Sequence, residues 1–156
     1  MATEIERKFL LKDASWKALA DEGMQYSQGY LVGSQQASVR VRIQGERAFL
    51  NIKSATIDIT RQEFEYEIPL DEAKEMLESL CEKPLISKKR YHLKSENHLW
   101  EIDVFQADNE GLVVAEIELA DENEPFVKPD WLGDEVSDDE RYYNVSLVKH
   151  PFKNWL

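Results

Sequence analysis

Arg61-Gln62-Glu63-Phe64-Glu65-Tyr66-Glu67-Ile68 alternates charged with mostly apolar side chains at every second position. A period of two marks a β-strand, whose successive side chains point to opposite faces. One face carries Arg61, Glu63, Glu65 and Glu67; the other carries Phe64, Tyr66 and Ile68. The same division recurs along the chain in both directions. Glu4, Glu6 and Lys8 lie opposite Ile5, Phe9 and Leu11, while Arg40 and Arg42 oppose Val39, Val41 and Ile43. Asn51 and Lys53 oppose Leu50 and Ile52, and Lys88, Arg90 and His92 align. Glu101 and Asp103 oppose Trp100, Ile102 and Val104; Glu116 and Glu118 alternate with Ala115, Ile117 and Leu119.

This patterning predicts strands over 3–11, 26–32, 37–43, 47–53, 60–68, 85–93, 99–105 and 112–119. Eight strands joined mostly by short polar links imply an α+β, mainly β, fold. The sheet is expected to be antiparallel and curled or closed, with helices packed outside. One helix is expected over 13–20, opened by Asp13 and stopped near Gly23. A second runs over 70–80, where Leu70, Ala73, Met76, Leu77 and Leu80 share a side between Pro69 and Pro84. A third, shorter one is expected near Asp138 to Val148. Asp121 to Glu124 and Pro125 to Pro129 read as an exposed loop. No repeat, low-complexity tract or Gly/Ser linker divides the chain, so a single domain over 1–156 is expected.

Composition narrows the classes. The 156 residues hold 19 Lys and Arg against 31 Asp and Glu, a formal charge of −12, which argues against a duplex nucleic-acid binder. No apolar run approaches the roughly 20 residues of a membrane helix, and no basic, then apolar leader opens the chain. A cytoplasmic protein without nucleic-acid or membrane partners is expected. The single cysteine, Cys81, can form neither an internal disulfide nor a thiolate zinc cluster, and reads as a small buried residue late in a helix.

The uniformly charged strand faces admit two explanations. They can line a solvated sheet and pair across strands, each pair contributing about 0.2–1 kcal/mol. Alternatively a barrel closes with the charged side inward around a water-filled lumen. Arg-x-Arg and Glu-x-Glu pairs on many strands favour the lumen, because like charges two apart on one face repel unless something of opposite charge sits between them. Arg and Lys from several strands suit phosphate oxygens. Carboxylates without cysteine or paired histidine form a hard oxygen site suited to Mg²⁺ or Mn²⁺. Together they describe a metal–polyphosphate site. The six glycines are scattered and no Gly-Lys-Ser/Thr occurs, so side chains must hold the phosphates.

Glu4-Ile5-Glu6-Arg7-Lys8 resembles the Glu-x-Glu-x-Lys signature of the CYTH superfamily, the triphosphate tunnel metalloenzymes. Gly29-Tyr30, Val39 to Arg42, Ile52-Lys53, Arg61 to Ile68, Lys88 to Arg90, Ile102 to Phe105, Glu116 to Leu119 and Trp131 to Val136 extend the resemblance across residues 2 to 150, in the order and spacing of short bacterial inorganic triphosphatases. The resemblance implies a closed eight-stranded triphosphate tunnel. It implies metal-dependent hydrolysis of inorganic triphosphate, a small-molecule substrate, to pyrophosphate and phosphate, with two Mg²⁺ or Mn²⁺ ions during turnover. Glu4, Glu6, Asp103, Glu116 and Glu118 would hold metal; Lys8, Arg40, Arg42, Lys53, Lys88 and Arg90 would hold phosphates. Glu63 and Glu65 would sit on the second metal or orient the attacking water, and Lys8 or Lys88 would protonate the leaving group.

Tyr30 would hydrogen-bond Lys8 or a phosphate oxygen, or serve as a plain wall aromatic. Glu67, Arg61 and Glu101 read as rim charges, Lys89 as outward, and His92, His98 and His150 as surface or structural. The alternatives are an adenylyl cyclase of class IV type, a general NTPase or thiamine triphosphatase, and a non-catalytic polyphosphate- or nucleotide-binding module. The cyclase branch carries a His-Phe pair shortly before its Glu-x-Glu-x-Lys, where this chain has Met1-Ala2-Thr3. Phe152 and Trp155 would cover a barrel side or a dimer contact, leaving a monomer or homodimer. Six bases against seven acids in the proposed lumen make metal necessary for tight binding of a polyanion, and activity should rise toward alkaline pH as metal displaces protons.

Overall fold

A computed structural model describes residues 3–34, 36–55 and 58–155. Met1 and Ala2, read above for a leader, lie outside them. The strands are β1 (Thr3–Leu11), β2 (Met24–Gly33), β3 (Ala37–Gln44), β4 (Arg47–Ser54), β5 (Thr60–Ile68), β6 (Ile86–Ser95), β7 (His98–Phe105), β8 (Val113–Glu118) and β9 (Leu132–Glu135). They form one sheet in the order β5-β4-β3-β2-β6-β7-β8-β1-β9, and β5 also pairs with β1. That last pairing closes eight strands into an antiparallel barrel, as the alternation predicts.

β1 joins the barrel's two ends. Along one edge Glu6 lies opposite Glu118 and Lys8 opposite Glu116 on β8. Along the other, its first residues meet β5, Glu4 opposite Arg61, and its last meet β9, Leu11 opposite Leu132. β9 adds a strand to the eight expected; four residues are too few for alternation to show. Its Gly133 lies so close to β1 that a Cβ there would come within 2.9 Å of the Leu10 carbonyl oxygen.

The hydrophobic core lies outside the barrel wall, because the inner face is polar. Phe9, Trp16, Trp100, Ile117 and Trp131 cluster on one side, with Trp100 edge-on to Trp131 at 5.5 Å between ring centroids. Helix α1 (Leu70–Ser79) buries Ala73 and Leu77 against Val41 and Ala48. Cys81 is buried just beyond that helix. A third cluster joins Ile86, Phe105 and Val114 to Leu147 and Val148 of helix α2 (Asn144–Lys149), with Phe152 and Trp155 packed against it.

Two of the expected helices are shortened. Over 13–20 only a 3₁₀ turn forms, Ser15–Ala18, with Trp16 its one buried residue. Its Ser15 amide donates to Asp13 Oδ1, but Leu19 stays exposed, so no apolar stripe sustains a longer helix. The segment from Asp138 to Val148 divides into a 3₁₀ turn, Glu140–Tyr142, and α2, because Tyr143 between them is extended. No helix among the described residues is long and apolar enough to cross a membrane.

Candidate active site

The barrel encloses a cavity of about 350 Å³ lined almost wholly by polar side chains. Seven bases face it: Lys8, Arg40, Arg42, Lys53, Arg61, Lys88 and Arg90. Seven acids face it as well: Glu4, Glu6, Glu63, Glu65, Glu101, Glu116 and Glu118. Of the residues expected at the site, only Asp103 does not line the cavity. Arg61, Glu101 and His92, read as rim or surface groups, do line it. Tilt of barrel strands carries positions near strand ends into the lumen. Glu67 does lie outside, paired with exposed Arg47 at 2.8 Å, and Lys89 sits over the Tyr91 ring, away from the cavity. His98 pairs with Glu124, and His150 is exposed.

The acids gather on β1, β5, β7 and β8. Burial and the neighbouring Glu116 charge raise the Glu6 pKa well above the ordinary carboxylate value, and the two carboxyls share a hydrogen bond. Against the cost of its own burial, Glu116 is held ionised by Lys8, the Glu6 hydrogen bond and Arg90. Burial with Glu4, Glu63 and Glu101 nearby raises Glu118 too. Asn51 spans two more acids, donating from Nδ2 to Glu63 Oε2 at 3.0 Å and to Glu65 Oε2 at 2.9 Å. Lys53 Nζ lies 3.2 Å from Glu4.

The bases on β3 and β6 form the opposite wall and differ in how fully they are engaged. Arg90 grips Asp103 through two bonds of 2.7 and 2.8 Å and also reaches Glu101 at 3.1 Å. Lys88 Nζ sits 2.8 Å from the same Asp103 and 3.1 Å from Asn144 Oδ1. Asp103 was expected to hold metal. Instead it is fully buried behind the wall, both oxygens taken by Arg90 and Lys88. Burial, opposed by Asp103, pushes the Lys88 pKa down to about 8. Arg42 Nη2 reaches the half-exposed Glu65 at 3.1 Å, whereas Arg40 Nε and Arg42 Nε are buried without a hydrogen-bond partner. Unpartnered buried donors are costly, so these two guanidinium groups, which line the cavity, hold hydrogen-bonding capacity that no protein group uses. Tyr30, beside Arg40 across β2 and β3, also lines the cavity.

Alternation along a barrel strand could not find Tyr143 or Asn144, which line the cavity from the turn into α2. Tyr26 and buried Gln28 were legible in principle, four and two residues before Tyr30 on the same face.

Hard oxygen donors crowded enough to raise two of their own pKa values suit a divalent cation, whose charge would relieve that repulsion. Among the described residues no three such side chains already converge as a closed ligand set. The donor chemistry fits a metal, with the carboxylates now engaged by lysine, arginine and a shared proton.

A closed antiparallel tunnel with an acidic wall facing a basic one defines a class of protein that holds a small, highly charged guest inside its barrel. The model of the CYTH domain matches residues 2–150, and the chain belongs to the CYTH family. It is 51% identical over 155 residues, covering 99% of each chain, to a protein of Acetivibrio thermocellus named inorganic triphosphatase. A Nitrosomonas europaea protein of the same name is 36% identical over 150 residues, covering 94% of this chain and 97% of the relative. The crystal structure of the inorganic triphosphatase NE1496 superposes with a TM-score of 0.66 at 34% identity, covering 95% of both chains.

Proposed function

We propose that this protein is a divalent-metal-dependent inorganic triphosphatase that splits tripolyphosphate into pyrophosphate and phosphate. The observation that carries this is the cavity itself: Arg40 and Arg42, each with a buried Nε that no protein group engages, line it together with a crowded set of carboxylates. That is a site for an anion and a cation together. The names of relatives at 51% and 36% identity support the same substrate.

Arg40 and Arg42 bind the phosphate oxygens with their free donors, and Lys8 and Lys88 add point charges. Asp103 stands behind them as a positioning group that fixes Lys88 and Arg90. With its pKa near 8, Lys88 still carries a proton at neutral pH and gives it up readily to a leaving pyrophosphate oxygen. Glu63 and Glu65, aligned by Asn51, orient the water whose oxygen forms the new P–O bond as the P–O–P bridge breaks. Tyr30 and Lys53 complete the substrate contacts. Held by Glu4, Glu6, Glu116 and Glu118, a divalent cation such as Mg²⁺ or Mn²⁺ would supply charge neutralisation on the phosphates and acidification of water.

Phosphate release with Mg²⁺ or Mn²⁺, compared across tripolyphosphate, ATP and thiamine triphosphate, tests this reading. Tripolyphosphate should give the highest kcat/KM. Preferential turnover of ATP, cAMP formation, or tight binding without hydrolysis of any of the three would overturn it.

A further inference from the structure

Three consecutive residues outside the barrel touch three of its bases. The Tyr142 carbonyl accepts a hydrogen bond from Lys8 Nζ at 3.1 Å. The next ring, Tyr143, lies under Lys8 Nζ at 5.0 Å and under the Arg61 guanidinium at 5.2 Å from its centroid. The third residue, Asn144, accepts from Lys88 Nζ at 3.1 Å through Oδ1, which also takes the buried Gln28 Nε2 at 2.9 Å. Tyr143 is itself anchored, its hydroxyl donating to the Ser137 carbonyl at 2.7 Å. Its extended backbone, which interrupts the helix, brings Tyr143 and Asn144 to the lumen and the Tyr142 carbonyl to Lys8.

We propose that Tyr142-Tyr143-Asn144 is a positioning strap that aims the two lysines at the substrate. An ammonium has three hydrogens. On Lys88, Asp103 and Asn144 take two of them, leaving the third for the cavity. Lys8 is opposite Glu116 in the sheet register, yet its hydrogen bond goes to the Tyr142 carbonyl and its charge rests on an aromatic face. Cation–π contact and a neutral carbonyl hold a lysine in place without neutralising it. Lys8 acts on Glu116 only through space, without an ion-pair contact among the described residues, so its charge remains available to an anion. On Lys8 the strap therefore fixes the ammonium without adding a carboxylate to it, and on Lys88 it fixes, beside the Asp103 carboxylate, the direction of the remaining hydrogen. This rests on the reading that Lys8 and Lys88 contact triphosphate.

Double-mutant cycles on kcat/KM for tripolyphosphate test it. Tyr143→Leu and Asn144→Ala should each lose up to about 100-fold, the scale of a misplaced catalytic contact. In the Lys8→Met background Tyr143→Leu should cost nothing further, to within about twofold, the scatter of independent sites. Asn144→Ala should likewise cost nothing further in Lys88→Met. Tyr143→Phe, which keeps the ring but not the anchor to Ser137, should recover most of the loss of Tyr143→Leu. Asn144→Asp, which keeps the acceptor, covers the case in which Asn144→Ala fails to fold, and should retain more activity than Lys88→Met. Additive losses in both cycles, or Tyr143→Phe as poor as Tyr143→Leu, would overturn the strap. Wild-type kcat/KM in Lys8→Met and Lys88→Met would overturn the underlying assignment of the lysines instead.

Discussion

Replacing Lys88 by Met should make the protein more stable while removing activity, and the gain should depend on pH. Lys88 is 1% exposed, so its charged form has lost nearly all contact with water. Lowering its pKa from 10.5 to about 8 corresponds to a folded state that disfavours the ammonium by about 3 kcal/mol. Methionine fills similar space without the charge. Its removal strands little: Asp103 keeps both bonds from Arg90 and Asn144 keeps Gln28. Below pH 8 the lysine is protonated in folded and unfolded chains alike, and the whole penalty applies. Between about 8 and 10.5 the folded chain has released the proton while the unfolded chain retains it, so the penalty recedes as pH rises. At pH 10 it should be under about 1 kcal/mol. Urea unfolding of both proteins, followed by the fluorescence of buried Trp16, Trp100 and Trp131, reads the difference at each pH. Groups shared by both proteins cancel. The advantage of Lys88→Met should shrink by about 2 kcal/mol from pH 7 to pH 10. A stability difference that stays constant across this range would refute the claim that the fold strains against the Lys88 charge.

Asp103→Asn should act in the opposite sense, destabilising the chain by about 3–5 kcal/mol at neutral pH, since two buried cations lose their shared counter-charge. An unchanged urea midpoint would mean that Glu116 and Glu101 suffice for them. Glu116→Gln and Glu118→Gln should each remove most triphosphate turnover while the far-ultraviolet spectrum is preserved; full activity in both would exclude these carboxylates from metal binding. Seven acids offset seven bases around the cavity, so a polyanion needs added cations to settle there. Tripolyphosphate in EDTA should raise the melting midpoint little and with Ca²⁺ strongly; equal shifts would show that the bases alone bind it.

The barrel was legible because its two faces differ so sharply. Every strand with an alternation such as Glu63-Phe64-Glu65-Tyr66 was found, and 60–68 to the residue. β9 escaped because four residues carry too little pattern, and the helix over 13–20 failed because Trp16 is buried in the core while Leu19 stays exposed. Parity brought thirteen of the fourteen expected site residues to the cavity. It could not see that Asp103, on the right face, sits behind Arg90 and Lys88, because depth within a wall depends on side-chain length and partner geometry. Nor could it reach Tyr143 and Asn144, whose contribution is fixed by how the chain folds back over the barrel. Arg61 and Glu101 show the complementary limit: strand tilt, set by closure, decides which ends face inward.

Placing the core outside the wall and the charges within it means that neighbouring residues on each strand answer to different demands. Inserting or deleting one residue in a barrel strand would exchange the two sets, driving arginine and glutamate into the packed layer and phenylalanine into the water-filled one. The strands can therefore vary by substitution but hardly by length. New chemistry in this architecture has to come from swapping single inward side chains, such as Arg40 or Glu118, or from segments that do not obey the two-residue rhythm. The Tyr142 to Asn144 turn is such a segment, free to lengthen, shorten or change composition without shifting the register of a strand.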